Sequence, residues 1–170
     1  THNHTTCAVT TTNTARCWGQ NYRGRLGYNN TTSIGDGNVS IAAAVDLDVD
    51  LDADNIVADI LTSGITTCML STSGQMKCWG QNDTGSNGYG DDNHWGDGGG
   101  EYPSGRSWFD FGSKVIHMAG GTEVANSSRI CALNAASEIY CWGNASHGSL
   151  GNKRSDSWGN DLGELASEAA

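Results

Sequence analysis

Short stretches in which apolar and small polar residues alternate are broken at brief intervals along this chain by Gly, Asn, Asp, Ser and Thr. That pattern predicts many short strands joined by turns. Cys68-Met69-Leu70 and Met76-Lys77-Cys78-Trp79, on either side of Gly74, read as the arms of a hairpin. The stretch around Cys7 and Cys17 folds the same way: with Cys7 facing Cys17 and Val9 facing Ala15, Thr11, Thr12 and Asn13 form the loop. The third residue of such a loop favours left-handed backbone, which Asn13 and Gly74 suit and Ser137 suits less well. Leu70–Met76 and Leu133–Ile139 then lie on the cysteine side, while the Trp residues with Ala8, Met69 and Ala132 lie on the other. Both sides are partly apolar, as expected for sheets stacked between neighbours rather than sheets with one wet face.

The hairpin recurs. Cys68 follows Cys7 by 61 residues and Cys131 follows Cys68 by 63, and the second cysteines, Cys17, Cys78 and Cys141, keep the same offsets. Each second cysteine is followed by Trp-Gly (Trp18-Gly19, Trp79-Gly80, Trp142-Gly143), then by Gln20, Gln81 or Asn144. Glycines come next at matching steps: Gly24 and Gly27, Gly85 and Gly88, Gly148 and Gly151. This is an internal repeat. Directly opposed cysteines of an antiparallel pair are close enough to bond, so Cys7–Cys17, Cys68–Cys78 and Cys131–Cys141 are expected as disulfides. Free thiols or a zinc site are the alternatives, the latter disfavoured by the absence of any CxxC. Between hairpins, Val49-Asp50-Leu51 and Phe109-Asp110-Phe111 read as short strands, followed by the apolar stretches Asn55 to Leu61 and Lys114 to Ala119. Each repeat thus offers about four short strands, the content of a propeller blade.

The predicted fold class is all-β: about three propeller-like blades of short antiparallel strands, each with a stapled hairpin, and not a closed seven-bladed ring. Residues 1–170 form a single repeat region. Hairpin repeats fall at 4–27, 65–88 and 128–151, connecting strands at 39–64 and 106–121, and 152–170 leads into an incomplete blade.

Cys7-Ala8-Val9, Cys17-Trp18-Gly19-Gln20 and Gly24-Arg25-Leu26-Gly27 resemble the regulator-of-chromosome-condensation repeat. So do Cys131-Ala132-Leu133, Cys141-Trp142-Gly143-Asn144 and Gly148-Ser149-Leu150-Gly151. The middle copy departs at Asn87, where the family has Leu, and the family's His before the first strand is replaced by Thr5, Thr66 and Arg129. The resemblance implies propeller blades. The founding nuclear members are chromatin-bound exchange factors for a small GTPase. The paired cysteines instead suit an oxidising compartment and make the chain similar to a secreted, cysteine-bearing branch. Fold alone does not carry function across.

Composition narrows the function classes. Net charge is −10, with nine Lys and Arg against nineteen Asp and Glu, so the chain lacks the basic face that nucleic acid or an anionic membrane demands. No apolar run approaches the roughly 20 residues needed for a transmembrane helix. The five histidines show no metal-binding spacing, Gly96 to Gly100 lacks the Lys-Ser/Thr of a phosphate loop, and no Gly-x-Ser-x-Gly occurs. The expectation is that the chain is not an enzyme and has no cofactor.

Seven Asn-x-Ser/Thr sequons, at Asn3, Asn29, Asn30, Asn38, Asn82, Asn126 and Asn144, exceed the roughly three that composition gives by chance. Together with the disulfides they point to N-linked glycans on a secreted, extracellular protein. Asp46, Asp48, Asp50, Asp52 and Asp54 alternate with apolar residues, placing carboxylates on one strand face. A calcium site is the functional reading; a solvated face that discourages edge pairing is the simpler one. The loop from Gly88 to Gly105, with Asp91-Asp92-Asn93-His94-Trp95-Gly96-Asp97, is a candidate for sugar or cation binding, or a plain turn-rich insertion. The expected partners are copies of the chain or sister repeats. Head-to-tail completion of blades would build a filament; the alternative is a secreted propeller binding a carbohydrate or protein ligand.

Overall fold

A computed structural model describes residues 4–51, 56–121, 127–153, 155–161 and 164. Its hairpins are set at their tips. The N–H groups of Thr10, Ser71 and Asn134 donate to the carbonyls of Thr14, Gln75 and Glu138 at 2.8, 2.9 and 3.0 Å, closing three-residue loops. The third loop residues, Asn13, Gly74 and Ser137, take φ of 61°, 84° and 67°, so Ser137 adopts the left-handed conformation despite its Cβ.

Strands β1 (Thr5–Val9) and β2 (Ala15–Gly19) form the first blade. β3 (Val57–Ser63), β4 (Thr66–Ser71) and β5 (Met76–Gly80) form the second; β6 (Val115–Gly121), β7 (Arg129–Asn134) and β8 (Ile139–Gly143) form the third. All pairs are antiparallel, and no sheet closes into a barrel. Cys7 faces Cys17, Cys68 faces Cys78 and Cys131 faces Cys141. All three pairs are disulfides, with Cα atoms 4.1, 4.1 and 4.2 Å apart, close to the spacing of non-hydrogen-bonded antiparallel pairs. At such a pair the N–H points away from the partner strand. Tyr28 Oη accepts from Cys17 N–H at 3.0 Å and Tyr89 Oη from Cys78 N–H at 3.5 Å.

Beyond the last strand of each blade lies a single bridge, Gly19 to Ile34, Gly80 to Trp95 and Gly143 to Trp158. The expected strands Val49-Asp50-Leu51 and Phe109-Asp110-Phe111 are extended segments, not ladder strands. Isolated bonds join this connecting chain to the hairpins: Leu47 N–H, just before the first segment, to the Ala15 carbonyl and Phe109 N–H to the Met76 carbonyl, both 2.9 Å. Asp50, at φ 54°, breaks any strand there. What these segments contribute is side chains to the core.

The core lies between blades. One cluster joins Ala15 and Cys17 of the first blade to Met69 and Trp79 of the second, with Leu47, Val49 and Val57 from the connecting segment. The other joins Cys68, Leu70, Met76 and Cys78 to Ile130, Ala132, Tyr140 and Trp142, with Phe111 and Val115. Blade therefore stacks on blade, disulfide side against tryptophan side. No helix among the described residues is long and apolar enough to cross a membrane.

Candidate functional site

Four regions carry features beyond the fold: the two outward blade faces, the acidic segment with Lys77, and the 88–105 loop.

The middle blade is buried on both sides; every residue of β4 and β5 is buried. Among the described residues, the outer blades are each covered on one side only. On the third blade's disulfide side, Ile139 is 61% exposed, whereas Met76 and Ala15 at the same repeat position are fully buried. On the first blade's tryptophan side, Thr6, Ala8 and Arg16 are exposed and Trp18 is half-buried. Adjacent blades also touch backbone to backbone at glycines. A Cβ on Gly24 would collide with the Gly96 backbone, and one on Gly85 with the Gly159 backbone. In reverse, a Cβ on Gly96 or on Gly159 would lie 2.5 Å from the carbonyl oxygen of Gly24 or of Gly85. Gly148 and Gly35 hold the same repeat positions and meet nothing within 4 Å.

The acidic series is not a strand face. Leu47 and Val49 turn into the core while Asp46, Asp48 and Asp50 face solvent. Asp46 pairs with Arg16 Nε at 2.5 Å, which holds its carboxyl below the ordinary range. Lys77 is fully buried: its Nζ lies 3.8 Å from the centre of the Trp108 ring and donates to the Pro103 carbonyl at 3.2 Å. Burial lowers its ammonium from 10.5 to about 8, against the opposing pull of Asp50 and Asp48. Among the described residues no group of three or more His, Cys, Asp or Glu is placed to hold a metal ion. Asp46, Asp48 and Asp50 therefore do not assemble the calcium site considered from the sequence; Asp52 and Asp54 lie outside the described residues.

The 88–105 loop is tied down rather than displayed. The Arg106 guanidinium sits 4.2 Å from the ring centres of both Tyr89 and Trp95, and its Nη1 lies 3.4 Å from Asp91 Oδ2. His94 Nδ1 accepts from Asn82 N–H at 3.1 Å, and Trp95 Nε1 donates to the Tyr102 carbonyl at 3.0 Å. Trp95 is half-buried. Trp95 is thus part of the loop's own packing.

The sequons divide by environment. Asn38 and Asn30 are exposed, and Asn29 and Asn144 are half-buried. Asn29 Oδ1 accepts from the N–H groups of Gly100 and Glu101 at 2.8 and 2.9 Å. Asn82 is fully buried; its Oδ1 accepts from Asn87 N–H at 2.8 Å and its Nδ2 donates to the Asp91 carbonyl at 2.6 Å. Both amide atoms of Asn82 are thus engaged inside the fold, unlike those of an exposed sequon. Asn3 and Asn126 lie outside the described residues.

Sequence reasoning missed the role of Asn82 and its counterpart Asn21, whose Oδ1 and Nδ2 close the same turn onto Leu26 N–H and the Asn30 carbonyl at 2.8 and 2.7 Å. The signal was present, since both follow the repeated Gly-Gln. Beside the first blade runs a groove of about 410 Å³ whose lining includes Tyr28, Ile34, Val45, Asp46, Asp48 and Tyr102.

No protein-family model matches the chain, and no curated protein sequence matches it. Solved structures do. Yeast RCC1 (Prp20), in its complex with Kap60, superposes with a TM-score of 0.67 at 19% identity, over 94% of this chain and 35% of that one. Prp20p from Saccharomyces cerevisiae, described with its binding to Gsp1p and histones, gives 0.65 at 19% identity, over 93% and 35%. Human WBSCR16 gives 0.65 at 17% identity, over 96% and 36%. The chain spans about a third of the length of these proteins, and the likeness shows the fold: RCC1-type propeller blades.

Proposed function

We propose that this chain is a structural and interaction module of an extracellular, glycan-bearing assembly, and not an enzyme. The observation that carries the reading is the treatment of the blade faces. Both faces of the middle blade are buried by its neighbours, and the outer blades each present one of those faces to solvent, as in repeat arrays whose units are completed by stacking. Three disulfides suit an oxidising compartment, and the exposed sequons Asn30 and Asn38 give glycans an accessible attachment. The yeast RCC1 structures, with Kap60 bound and with binding to Gsp1p and histones described, support a scaffold used for association; the partners themselves do not transfer on fold alone.

The test is electron microscopy of native, unreduced material. Large regular particles carrying sugar density on their surface are expected. A monodisperse monomer in sedimentation overturns the reading.

A second reading, a secreted propeller binding a carbohydrate or protein ligand, draws on the groove beside the first blade, where Tyr28 and Tyr102 offer ring surface and Asp46 and Asp48 offer acceptors. Titration calorimetry with a glycan panel checks it. Tyr102→Ala abolishes binding if the groove is the site.

A further inference from the structure

The structure repeats one contact twice and leaves its two halves unused on opposite outer blades. In both contacts within the chain, the disulfide side of one blade receives the tryptophan side of the next. The open sides are a disulfide side, on the third blade, and a tryptophan side, on the first. We propose that a second copy of this chain occupies them, the third blade of one copy seating against the first blade of the next. This rests on the assembly reading above and names its interface.

The correspondence holds position by position. On the tryptophan side, Trp18, Ala8, Thr6 and Arg16 match Trp79, Met69, Thr67 and Lys77 of the second blade, each at most 1% exposed. They match Trp142, Ala132, Ile130 and Tyr140 of the third, at most 9% exposed. On the disulfide side, Ile139 and Cys141 match Met76 and Cys78, both fully buried against the next blade.

The accepting carbonyl repeats as well, with a different donor in each contact. Thr67 Oγ1 donates to the Arg25 carbonyl at 2.8 Å and Trp142 Nε1 to the Ser86 carbonyl at 3.0 Å, so the same carbonyl position in successive repeats accepts from the next blade. Its third counterpart is Ser149, and the donors that match it are Trp18 Nε1 and Thr6 Oγ1 of the other copy.

The glycines complete the match. Gly24 meets Gly96 and Gly85 meets Gly159 at distances only glycine permits, and the halves left over are Gly148 and Gly35. A side chain at Gly148 or Gly35 would meet no described residue of this chain; φ of 71° and 86° already favours glycine at both, and the open space beside each leaves room for the backbone of another blade. An unrelated partner supplies no reason for the two leftover faces to be complementary to each other; a further run of the same repeats does, and a second copy of this chain provides one. Such an interface is heterologous, and repetition of it extends without limit or closes into a ring.

Sedimentation velocity over a concentration series tests this, with the wild-type chain, Ile139→Lys and Ala8→Arg. Both substitutions lie at exposed positions, and circular dichroism and thermal unfolding verify that each variant folds. The wild type is expected to grow through successive oligomers. Each variant should self-associate at least about tenfold more weakly, because a charge is forced into an apolar contact. Mixing the two variants should give a one-to-one pair and nothing larger, since only one competent face of each remains. A monomeric wild type, variants that assemble like the wild type, or a mixture that forms no pair overturns the proposal. A monomeric wild type overturns the assembly reading as well, whereas variants that assemble like the wild type, or a mixture that forms no pair, overturn this interface and leave that reading standing.

Discussion

The Nζ atom of Lys77 lies 3.8 Å from the centre of the Trp108 ring, in a position from which solvent is excluded. The lysine belongs to β5 and the tryptophan to the segment leading to the third blade, so the contact fastens the connecting chain across the hairpin. A buried ammonium is costly unless it is partnered. Here the partners are the ring face, the Pro103 carbonyl and the field of Asp50 and Asp48.

Stability should therefore rise with pH between about 8 and 10.5. In that window the folded chain has released the Lys77 proton while the unfolded chain still holds it, so the unfolded state binds more protons and alkali favours folding. Tyr28, Tyr89 and Tyr140, whose hydroxyls are all pushed upward, act in the opposite sense at higher pH. Comparison with Lys77→Met isolates the lysine: denaturant midpoints of the variant should lose the rise that the wild type shows. Lys77→Ala leaves a void and should cost about 2–4 kcal/mol. Equal slopes in wild type and Lys77→Met would refute the assignment.

Equivalent glycines should differ in what an added methyl costs. Gly24, Gly85 and Gly148 share φ of 73°, 71° and 71°, so alanine carries the same backbone strain at each, about 1 kcal/mol. Only Gly24 and Gly85 also face the backbone of the next blade. Measured at concentrations where the chain is monomeric, Gly24→Ala and Gly85→Ala should destabilise by about 2 kcal/mol more than Gly148→Ala. Thermal unfolding ranks the three directly, and equal losses would mean that the glycine contact does not hold the blades together.

Occupancy of the sequons should follow burial. Glycopeptide mass spectrometry of protein secreted from a eukaryotic host should find sugar at Asn38, which is exposed on a turn, and none at Asn82. Asn82→Ala should cost about 1–3 kcal/mol, because Asn87 N–H and the Asp91 carbonyl both lose a buried partner. Asn38→Gln should leave the unfolding midpoint where it is.

The hairpin register was legible in the sequence because two local facts agree: cysteines that must face each other, and Asn13 or Gly74 where the loop turns left-handed. Alternation then assigned Met69 and Leu70 to opposite sides without knowledge of what covers either. Which side stays open was not legible, since that depends on the order of blades in space and not on any residue's type. The burial of Lys77 was not legible either, since the groups that receive its ammonium, Trp108 and the Pro103 carbonyl, come from a later segment of the chain. The 88–105 loop reads as a polar, turn-rich insertion for a similar reason: what ties it down is Arg106, just past its end, whose guanidinium packs on both Tyr89 and Trp95. The extended segments at Val49 and Phe109 were misread as strands because alternation reports burial on one side and is silent about hydrogen-bonded neighbours. A short alternating run satisfies the first without the second.

The three disulfides should yield to reductant in a fixed order that also reports on assembly. Thiol–disulfide exchange requires the attacking thiolate to reach a sulfur, so access governs the rate when the bridges are otherwise alike. Cys68 and Cys78 are fully buried between blades; Cys131 and Cys141 are both half-buried on the open side of the third blade; Cys7 is half-buried and Cys17 buried. For the dispersed chain, graded reduction followed by alkylation and peptide mass spectrometry should open Cys131–Cys141 first, Cys7–Cys17 next and Cys68–Cys78 last. The bridges close loops of equal length, and removing any one by paired Cys→Ala replacement should cost about 2–3 kcal/mol. Differences in reduction order therefore reflect burial and not loop entropy. Stacking of copies changes one bridge above the others: Cys131–Cys141 lies on the face that a second copy covers, and its reduction should slow to that of Cys68–Cys78 in assembled material. A Cys131–Cys141 bridge that reduces equally fast in dispersed and assembled samples would place the contact between copies elsewhere on the molecule.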